Sequence, residues 1–277
     1  MMQPMLARRI SITLAEAFNS VDLLRNLVLR ELRATYKGSV LGALWSLLNP
    51  LVTMAIFTVV FGVFFKVQLP PSSGGVRSLP AFLLVGLLPW NLLSLAMNTG
   101  ALSLVTNGNL IRKVYFFRAV LPVSTVLAHG VHFLIGLGLL LPFLAVLGVR
   151  LWPNLWLLAV PVAGLLLLAL GLAFLTAVSN VYYRDTQHLT SLLGMAWFYA
   201  TPIVYPAEFV ESAGEPWVTL CRLNPAAALV TAFRTILYEG RAPDPGSLLW
   251  CLVSCGAVFL LGWAVFRRAE PRLAEEV

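Results

Sequence analysis

The sequence predicts an all-α integral membrane protein with six transmembrane helices. Of its 277 residues, 59% are hydrophobic and only 11% are charged, whereas a soluble globular domain carries about 25% charged residues. The uncharged residues are also gathered into runs, and a helix needs about 20 apolar residues to cross a bilayer. The six runs that are long enough are Gly38–Phe65, Ser78–Ile111, Ala119–Val149, Leu151–Tyr183, Thr186–Ala207 and Pro245–Phe266.

Each run has room for one crossing, and together the six crossings form a single membrane domain over residues 38–268. A cytoplasmic segment over residues 1–37 precedes this domain, and a cytoplasmic tail over residues 269–277 follows it. Most of the 19 lysines and arginines lie on the side of the two termini, and the positive-inside rule places that side in the cytoplasm. We expect the spans at about residues 41–65, 80–104, 120–147, 154–179, 187–206 and 247–266.

The segment before the first span has the periodicity of an amphipathic helix over Asn19–Lys37. At 100° per residue a narrow face is basic and the opposite face is aliphatic, with Arg25 and Glu31 breaking the pattern. Such a helix suits the headgroup layer. The alternative is a helix packed on the cytoplasmic side with a solvated basic face. No apolar signal-peptide core precedes it, so we expect the first span to direct insertion. The polar face holds Asp22, Asn26, Arg30, Arg33 and Lys37, and the aliphatic face holds Leu27, Val28, Leu32, Ala34 and Thr35.

The connection between the second and third spans, Asn107–Arg118, carries three cations, no acid and several large apolar side chains. We expect a chain break at Asn107-Gly108-Asn109, followed by apolar residues exposed on the cytoplasmic side. An exposed apolar cluster rimmed by charge usually marks a surface that binds a partner. The alternative is a positively charged anchor whose aromatic rings rest in the membrane interface.

The connection between the fourth and fifth spans is short, and its only charges are Arg184 and Asp185. Asp185 directly precedes the fifth span, where an acidic side chain accepts hydrogen bonds from first-turn amides and favours the helix dipole. We therefore expect Asp185, together with Thr186, to cap this span.

The fifth span ends in an aromatic stretch, Trp197–Pro206, that Pro202 interrupts. Further on, Asn224-Pro225 supplies a helix cap and a proline at the first helical position. The helix that they open is expected to end at about Tyr238 and to rise only ~21 Å, which is short of the ~30 Å hydrocarbon core. Non-helical backbone at membrane depth has to line a cavity or be buried in protein. A broken span followed by a re-entrant or interfacial helix therefore predicts the lining of a pathway.

The chain lacks the usual marks of a self-powered transporter or an enzyme. It has no GxxxxGK[ST] loop, which binds nucleotide phosphates, and its predicted spans contain no Asp or Glu, which ion-coupled transporters commonly place in mid-membrane. His129 and His132 share a face of the third span without an accompanying carboxylate or cysteine. We therefore expect buried imidazoles rather than metal ligands, no cofactor on this chain, and an outside source of energy.

Five motifs in chain order resemble those of the ABC-2-type permeases that export polysaccharides. The resemblance covers about Asp22 to Arg268. The most similar subgroup exports O-antigen, teichoic acid and related cell-wall glycans, and the capsular polysaccharide exporters are a close second. The motifs are Tyr36–Pro50 (YKGSVLGALWSLLNP), Asn109–Phe116 (NLIRKVYF), Tyr183–Asp185 (YRD), Thr201–Pro206 (TPIVYP) and Leu223–Pro225 (LNP).

This resemblance implies a homodimer of six-span subunits bound to two copies of an ABC ATPase subunit, which would carry the ATP and magnesium. The paired permeases would form a channel in the bacterial inner membrane for a glycan linked to undecaprenyl pyrophosphate or a similar lipid. The chain would be a transport subunit rather than an enzyme, and it would bind no nucleic acid.

The same resemblance assigns roles to individual residues. Those expected to contact the ATPase are Arg112, Lys113, Tyr115 and Phe116, with Arg184 and Asp185 in a second contact. Those expected on the interface helix, near the entry of the substrate pyrophosphate, are Arg25, Arg30, Arg33, Tyr36 and Lys37. Those expected in the channel or its gate are Trp45, Trp90, Trp197, Phe198, Tyr199, Pro202, Tyr205, Asn224 and Pro225. Their rings would stack on sugar faces, and ordinary packing within the spans is the alternative.

Two other functions remain open on the sequence. An ABC-2 permease for a small amphiphile would share the fold but have a narrower and less aromatic channel. A membrane enzyme acting on polyprenyl lipids would need acids or histidines near the bilayer surface, and Asp22, Glu31 and Asp185 are too scattered to provide them.

Overall fold

The computed structural model describes residues 14–36, 45–64, 66, 78–113 and 116–276. Helices account for the regular structure in these ranges, and no strand occurs within them, which confirms the all-α class. The twelve α-helices described there are α1 (Leu14–Tyr36), α2 (Trp45–Phe57), α3 (Leu79–Ser103), α4 (Gly108–Lys113), α5 (Val120–Val146), α6 (Ala159–Tyr182), α7 (Thr186–Ala200), α8 (Glu208–Ala213), α9 (Trp217–Leu223), α10 (Pro225–Leu237), α11 (Pro245–Ala269) and α12 (Leu273–Glu276).

Four helical segments among the described residues are long and apolar enough to cross a membrane: Leu79–Lys113, Val120–Val146, Trp152–Tyr182 and Pro245–Ala269. They correspond to the second, third, fourth and sixth predicted spans. The third of them begins with a 3₁₀ turn, Trp152–Leu158, that leads into α6. The structure thus contains helices long and apolar enough for four of the six predicted spans.

The fifth predicted span is shorter in the structure, and the first is described only in part. A π-helical stretch, Thr58–Phe64, continues α2, while residues 41–44 and Phe65 of the predicted span lie outside the described residues. Helix α7 has only 15 residues, which rise ~22 Å, and it ends at residue 200 rather than 206. That the chain crosses the membrane six times therefore remains a prediction.

The centre of the bundle is formed by α3, which packs against both α5 and α6. Leu83, Val85 and Ala96 of α3 are completely buried. The crossing of α3 and α6 is close, because a Cβ built on Gly100 would lie 2.9 Å from the Cα of Ala173. On the other side of α6, α11 makes an even more intimate contact through Gly171 and Gly262.

A second hydrophobic cluster closes the end of the bundle near the two termini. It joins Leu27 of α1, Ile111 of α4, Phe174 of α6, Phe266 of α11 and Leu273 of α12. Large side chains fill most of the space between these elements, with Ala119, Ala177 and Ala269 among them. The cluster attaches both the first helix and the last to the segment that follows α3.

The amphipathic character predicted for α1 is confirmed, although the helix begins at Leu14 rather than at residue 19. Leu27 is buried, and the arginines of the polar face that the structure describes are exposed. Ala34 is also exposed, so the aliphatic face is narrower than expected. Because α1 packs against α5, the structure favours the alternative of a packed helix with a solvated basic face.

Candidate functional site

The end of α7 is a buried stretch of non-helical backbone, Thr201–Pro206, which we call the α7 break. Proline has no amide hydrogen and disfavours a helical conformation in the residue before it. Thr201, which precedes Pro202, accordingly has an extended backbone with φ −105° and ψ 133°. The four residues from Thr201 to Val204 are nevertheless buried, so their polar backbone groups need partners within the protein.

Arg234 of α10 supplies two of these partners. Its guanidinium donates hydrogen bonds to the carbonyl oxygens of Pro202 and Ile203, and only 6% of the residue is exposed. The guanidinium carbon also lies 3.6 Å from the centre of the Phe82 ring, a cation–π arrangement. The arginine thus fixes the α7 break to α10 and to α3.

Gly86 of α3 makes room for this contact. A Cβ at this position would lie 3.0 Å from Nη2 of Arg234 and 3.2 Å from the carbonyl oxygen of Ile203. Both distances are shorter than ordinary carbon contacts, so any larger side chain would push the guanidinium or the α7 break aside.

Asn224 connects the α7 break to the start of α10. Its Oδ1 accepts a hydrogen bond from the backbone amide of Ala226 at 3.0 Å and another from Nε1 of Trp197 at 2.9 Å. Its Nδ2 donates to Oγ1 of Thr201 at 2.9 Å. The predicted cap at Asn224 and the proline at the first turn of α10 are both confirmed, and the helix ends one residue before the expected Tyr238.

The aromatic residues assigned to the channel fall into two groups. Trp90 is buried and packs edge-on against Trp197, with ring centres 5.6 Å apart, and at the same distance from Phe198. Trp90 therefore supports the end of α7 by packing against it, and its place in a channel stays a prediction. Phe57 of α2 stacks on Phe198, with ring centres 6.0 Å apart.

The other group is accessible. Tyr199 is 56% exposed and Trp45 is 48% exposed, while Tyr205 is partly buried and donates its hydroxyl hydrogen to the carbonyl oxygen of Tyr199 at 2.8 Å. Tyr199 belongs to an apolar face of α7 that no described residue of the chain covers. The other large members of that face are Leu189, Leu192, Leu193 and Met195.

The segment expected to contact an ATPase has a different shape from the one predicted. Val105–Asn107 forms a 3₁₀ turn and Gly108 has helical dihedral angles, so the chain continues into α4 without the expected break. Arg112 and Lys113 are exposed, whereas Ile111 is buried in the second cluster and Phe116 is partly buried against it. The exposed surface is therefore more basic and less apolar than the sequence suggested, and Tyr115 lies outside the described residues.

The second expected contact, Arg184 and Asp185, is also exposed. Asp185 does not cap α7: its backbone is already helical (φ −71°, ψ −10°), and its side chain accepts no capping hydrogen bond. Thr186 instead donates its hydroxyl hydrogen to the carbonyl oxygen of Tyr183 at 2.6 Å. Nδ2 of Asn180 donates to the carbonyl oxygen of Ala101 at 2.9 Å, which places this connection at the same end of the bundle as α4.

The interface helix is linked directly to this region. Arg30 donates a hydrogen bond from Nη2 to Oδ1 of Asn107 at 2.7 Å. Arg25 and Arg33 are exposed without a described partner, Lys37 lies outside the described residues, and only the backbone of Tyr36 is described. The arginines of α1 thus lie at the end of the bundle where α4 begins.

The two histidines of α5 lie next to each other, with ring centres 6.0 Å apart. Nε2 of the buried His129 is 3.0 Å from Oγ1 of Thr99 on α3. Among the described residues no three His, Cys, Asp or Glu side chains are grouped closely enough to hold a metal ion.

Arg234 is the residue of this site that the sequence analysis did not single out. A signal was present in the helix periodicity. Arg234 lies four residues after Val230 and three before Leu237, on the apolar face of an amphipathic helix. An arginine in that position predicts a buried cation, which needs carbonyl or carboxylate partners.

Comparison with known proteins adds a family match and several relatives of almost equal length. A family model described as ABC-2 type transporter matches residues 22–238. An O-antigen export system permease protein, RfbA, of Myxococcus xanthus is 35% identical over 269 residues, which cover 95% of this chain and 98% of the relative. A protein of the same name from Klebsiella pneumoniae is 30% identical over 258 residues, or 92% and 94% of the two chains. The polysialic acid transport protein KpsM of Escherichia coli is 23% identical over 252 residues, or 89% and 93%.

Proposed function

Because the chain belongs to the ABC-2 type transporter family, we propose that it is the membrane permease subunit of an ATP-driven exporter of lipid-linked polysaccharide. The match confirms the resemblance drawn from the five motifs. The relatives that are 35% and 30% identical are O-antigen export permeases, which supports an O-antigen or related cell-wall glycan as the substrate. A capsular polysaccharide is the second candidate, because the similarity extends to a polysialic acid transport protein.

The α7 break is the structural observation that carries a transport function. Non-helical backbone at membrane depth is tolerated where it is buried in protein or lines a water-filled cavity. Here Arg234 donates hydrogen bonds to the carbonyls of Pro202 and Ile203, so specific contacts stabilise the break. Next to it, the accessible ring of Tyr199 offers the kind of surface on which sugar C–H faces stack.

Transport also requires an energy source, which we assign to a separate ATPase subunit that holds ATP and magnesium. The sequence has no phosphate-binding loop of its own. The exposed Arg112 and Lys113 of α4, with Arg184 and Asp185 close to the same end of the bundle, form the proposed contact surface. The arginines of α1 lie at this end as well, where they suit the pyrophosphate of a lipid-linked glycan.

The open apolar face of α7 supports a homodimer in which two permeases enclose the pathway. An exposed apolar surface of this kind needs either lipid or a second protein surface against it. We place the complex in the bacterial inner membrane with both termini in the cytoplasm, on the strength of the positive-inside rule.

The proposal is tested in cells that synthesise a lipid-linked glycan but lack their own permease. Expression of this chain with its ATPase should bring the glycan to the cell surface, detected by surface labelling. An ATPase variant without its phosphate-binding lysine should leave the lipid-linked glycan inside. If both subunits reach the membrane and no glycan appears at the surface, the chain does not export that substrate.

A further inference from the structure

A cavity of about 760 Å³ opens at the end of the bundle opposite to the termini. Its floor is one face of α10, with Ala227, Ala228 and Thr231. Helices α8 and α9 form one wall, and the loop after α10 together with the start of α11 forms the other. Its volume is in the range of about 300–1,000 Å³ that small-molecule sites occupy.

The cavity has an aromatic wall that is fixed in place. Trp250 of α11 is 42% exposed, and its Nε1 donates a hydrogen bond to the carbonyl oxygen of Arg222 at 2.9 Å. This bond ties α11 to α9 and holds the indole ring as part of the lining. The floor beneath it consists of three alanines and two threonines, whose small side chains leave the space open.

Charged and hydroxyl groups surround this apolar floor. Glu239 and Arg241 form an ion pair at 2.6 Å, and Asp244 accepts a hydrogen bond from the backbone amide of Ser247 at 3.1 Å. Within the part of the chain that the structure describes, the side chains of Glu211 and Arg222 have no partner. A carboxylate and a guanidinium are thus available to a ligand on the wall that α8 and α9 form.

Pro202 of the α7 break also lines the cavity. The carbonyl oxygen of this residue is one of the two that Arg234 binds. An occupant of the cavity would therefore contact the α7 break at Pro202.

We infer that this cavity, which we call the α8–α11 cavity, binds a saccharide segment of the transported glycan as it passes the α7 break. The inference rests on the proposed function. A sugar presents C–H faces that pack on an indole ring and hydroxyls that bond to carboxylate, guanidinium and threonine groups. A lipid chain fits less well, because the side chains of Glu211 and Arg222 would lose water without gaining a partner.

Cys221 provides a reporter within the cavity. It lines the cavity and is partly exposed, whereas the other two cysteines, Cys251 and Cys255, are buried. Burial raises the pKa of the Cys221 thiol, and the thiolate is the reactive form. Its alkylation by N-ethylmaleimide is therefore measured at a fixed alkaline pH, about 8.5.

The experiment uses the permease–ATPase complex in detergent and, as the probe, saccharide released by mild acid from the host's lipid-linked glycan. The saccharide should slow alkylation of Cys221 about tenfold at about nine times its Kd, because protection scales as 1 + [L]/Kd. Trp250→Ala and Glu211→Gln should each reduce the protection, while Trp250→Phe should retain most of it.

Trp217→Ala is the matched control, since this tryptophan is exposed on α9 but does not line the cavity. A second reporter, Ser212→Cys in a Cys221→Ser background, lies outside the lining and should be alkylated equally with and without saccharide.

Equal alkylation of Cys221 with and without saccharide would overturn the inference, and so would equal protection by vesicles of phosphatidylethanolamine and phosphatidylglycerol alone. Glycan export by the wild-type chain without any protection of Cys221 would remove the cavity's role and leave the proposed function standing. Absence of export would overturn the proposed function, and with it the glycan as the occupant.

Discussion

Arg234 is a cation surrounded by apolar side chains of α3 and α10, and the α7 break is what makes this placement possible. A buried charge is costly unless hydrogen bonds and favourable dipoles replace its water. The proline-interrupted backbone supplies two carbonyl oxygens, and the face of Phe82 supplies a third favourable contact. The arginine and the break therefore stabilise each other.

Replacing Arg234 by methionine should lower the free energy of unfolding by about 2–6 kcal/mol, because two buried carbonyls each lose a partner at about 1–3 kcal/mol. Arg234→Lys should have an intermediate effect, since an ammonium lacks the planar fork that reaches two oxygens at once. Titration of the purified protein in micelles with SDS measures the difference. Arg241→Met is the control: its ion pair is 73% exposed on the arginine side, and such pairs contribute about 0–1 kcal/mol. Equal losses in the two variants would contradict a special role for Arg234.

Gly86→Ala tests the same contact from the side of α3. The added methyl would lie 3.0 Å from Nη2 of Arg234, so the guanidinium must shift, and overpacking of this kind costs about 1–3 kcal/mol. Gly138→Ala on α5 is the matched control, because a Cβ there meets no atom within 4 Å. The control should be neutral or stabilising by about 0.5–1 kcal/mol, since alanine favours a helix over glycine. If Gly86→Ala is as stable as the control, the guanidinium of Arg234 can shift without cost and the close contact is not required.

At the scale of whole elements, α6 and α11 pack backbone to backbone. A Cβ built on Gly171 would lie 2.7 Å from the Cα of Phe259, and one built on Gly262 would collide with the carbonyl of Gly171. In lipid, helices associate through close packing rather than through a hydrophobic effect, so small residues at a crossing matter. This crossing fixes the position of α11, which carries Trp250 at one end and Phe266 at the other.

Gly262→Ala should therefore lower the free energy of unfolding by about 1–3 kcal/mol or more, because the two helices must move apart. Gly256→Ala lies in the same helix and should be tolerated, since a Cβ there meets nothing within 4 Å. The yield of folded protein in detergent and the resistance to SDS distinguish the two variants. If both variants show the same yield and resistance, α6 and α11 can move apart at little cost and the close packing does not determine stability.

Helix α4 carries the residues predicted to contact the ATPase subunit, and this contact can be tested. Replacing both Arg112 and Lys113 with alanine removes two exposed cations and should weaken association with the ATPase about tenfold or more. The buried Ile111 and the partly buried Phe116 stay in place, so the fold should not change. The control is the double variant Arg268→Ala with Arg272→Ala, which removes the same amount of charge from exposed residues near the C-terminus. Co-purification of the ATPase measures the effect, and the assignment fails if both double variants bind it equally well.

The elements that the sequence predicts well are those specified by local chemistry or by length. The apolar runs locate α3, α5, α6 and α11. Asn224-Pro225 locates the start of α10, because the cap needs only the Asn224 side chain and the backbone amide of Ala226, two residues further along the chain. The contact of Arg234 with Pro202 joins residues 32 positions apart, and no local pattern specifies it. Asp185 shows the converse: the residue type suits a cap, but its backbone is already helical.

For the molecule as a whole, the two ends of the bundle have different properties. The end with the termini gathers α1, α4 and α12 around one apolar cluster and presents exposed arginines and a lysine. The opposite end contains the α7 break, the α8–α11 cavity and the short helices that cover it. Helix α3 connects the two ends, because it leads into α4 at one end and carries Phe82 and Gly86 at the other.

This arrangement completes a pathway only if two copies of the chain face each other across α7, which leads to the last prediction. Leu192 is 66% exposed on the open face of α7. In a background in which serine replaces Cys221 and alanine replaces Cys251 and Cys255, Leu192→Cys should form a dimer with a short bifunctional maleimide. Leu139→Cys is the matched control, since it is 55% exposed on α5, a helix that we expect to face lipid. Dimer formation is read from non-reducing gels of membranes. Cross-linking at residue 139 but not at residue 192 would place the subunit interface on the other side of the bundle, and the face of Tyr199 would then be lipid-facing rather than part of a pathway.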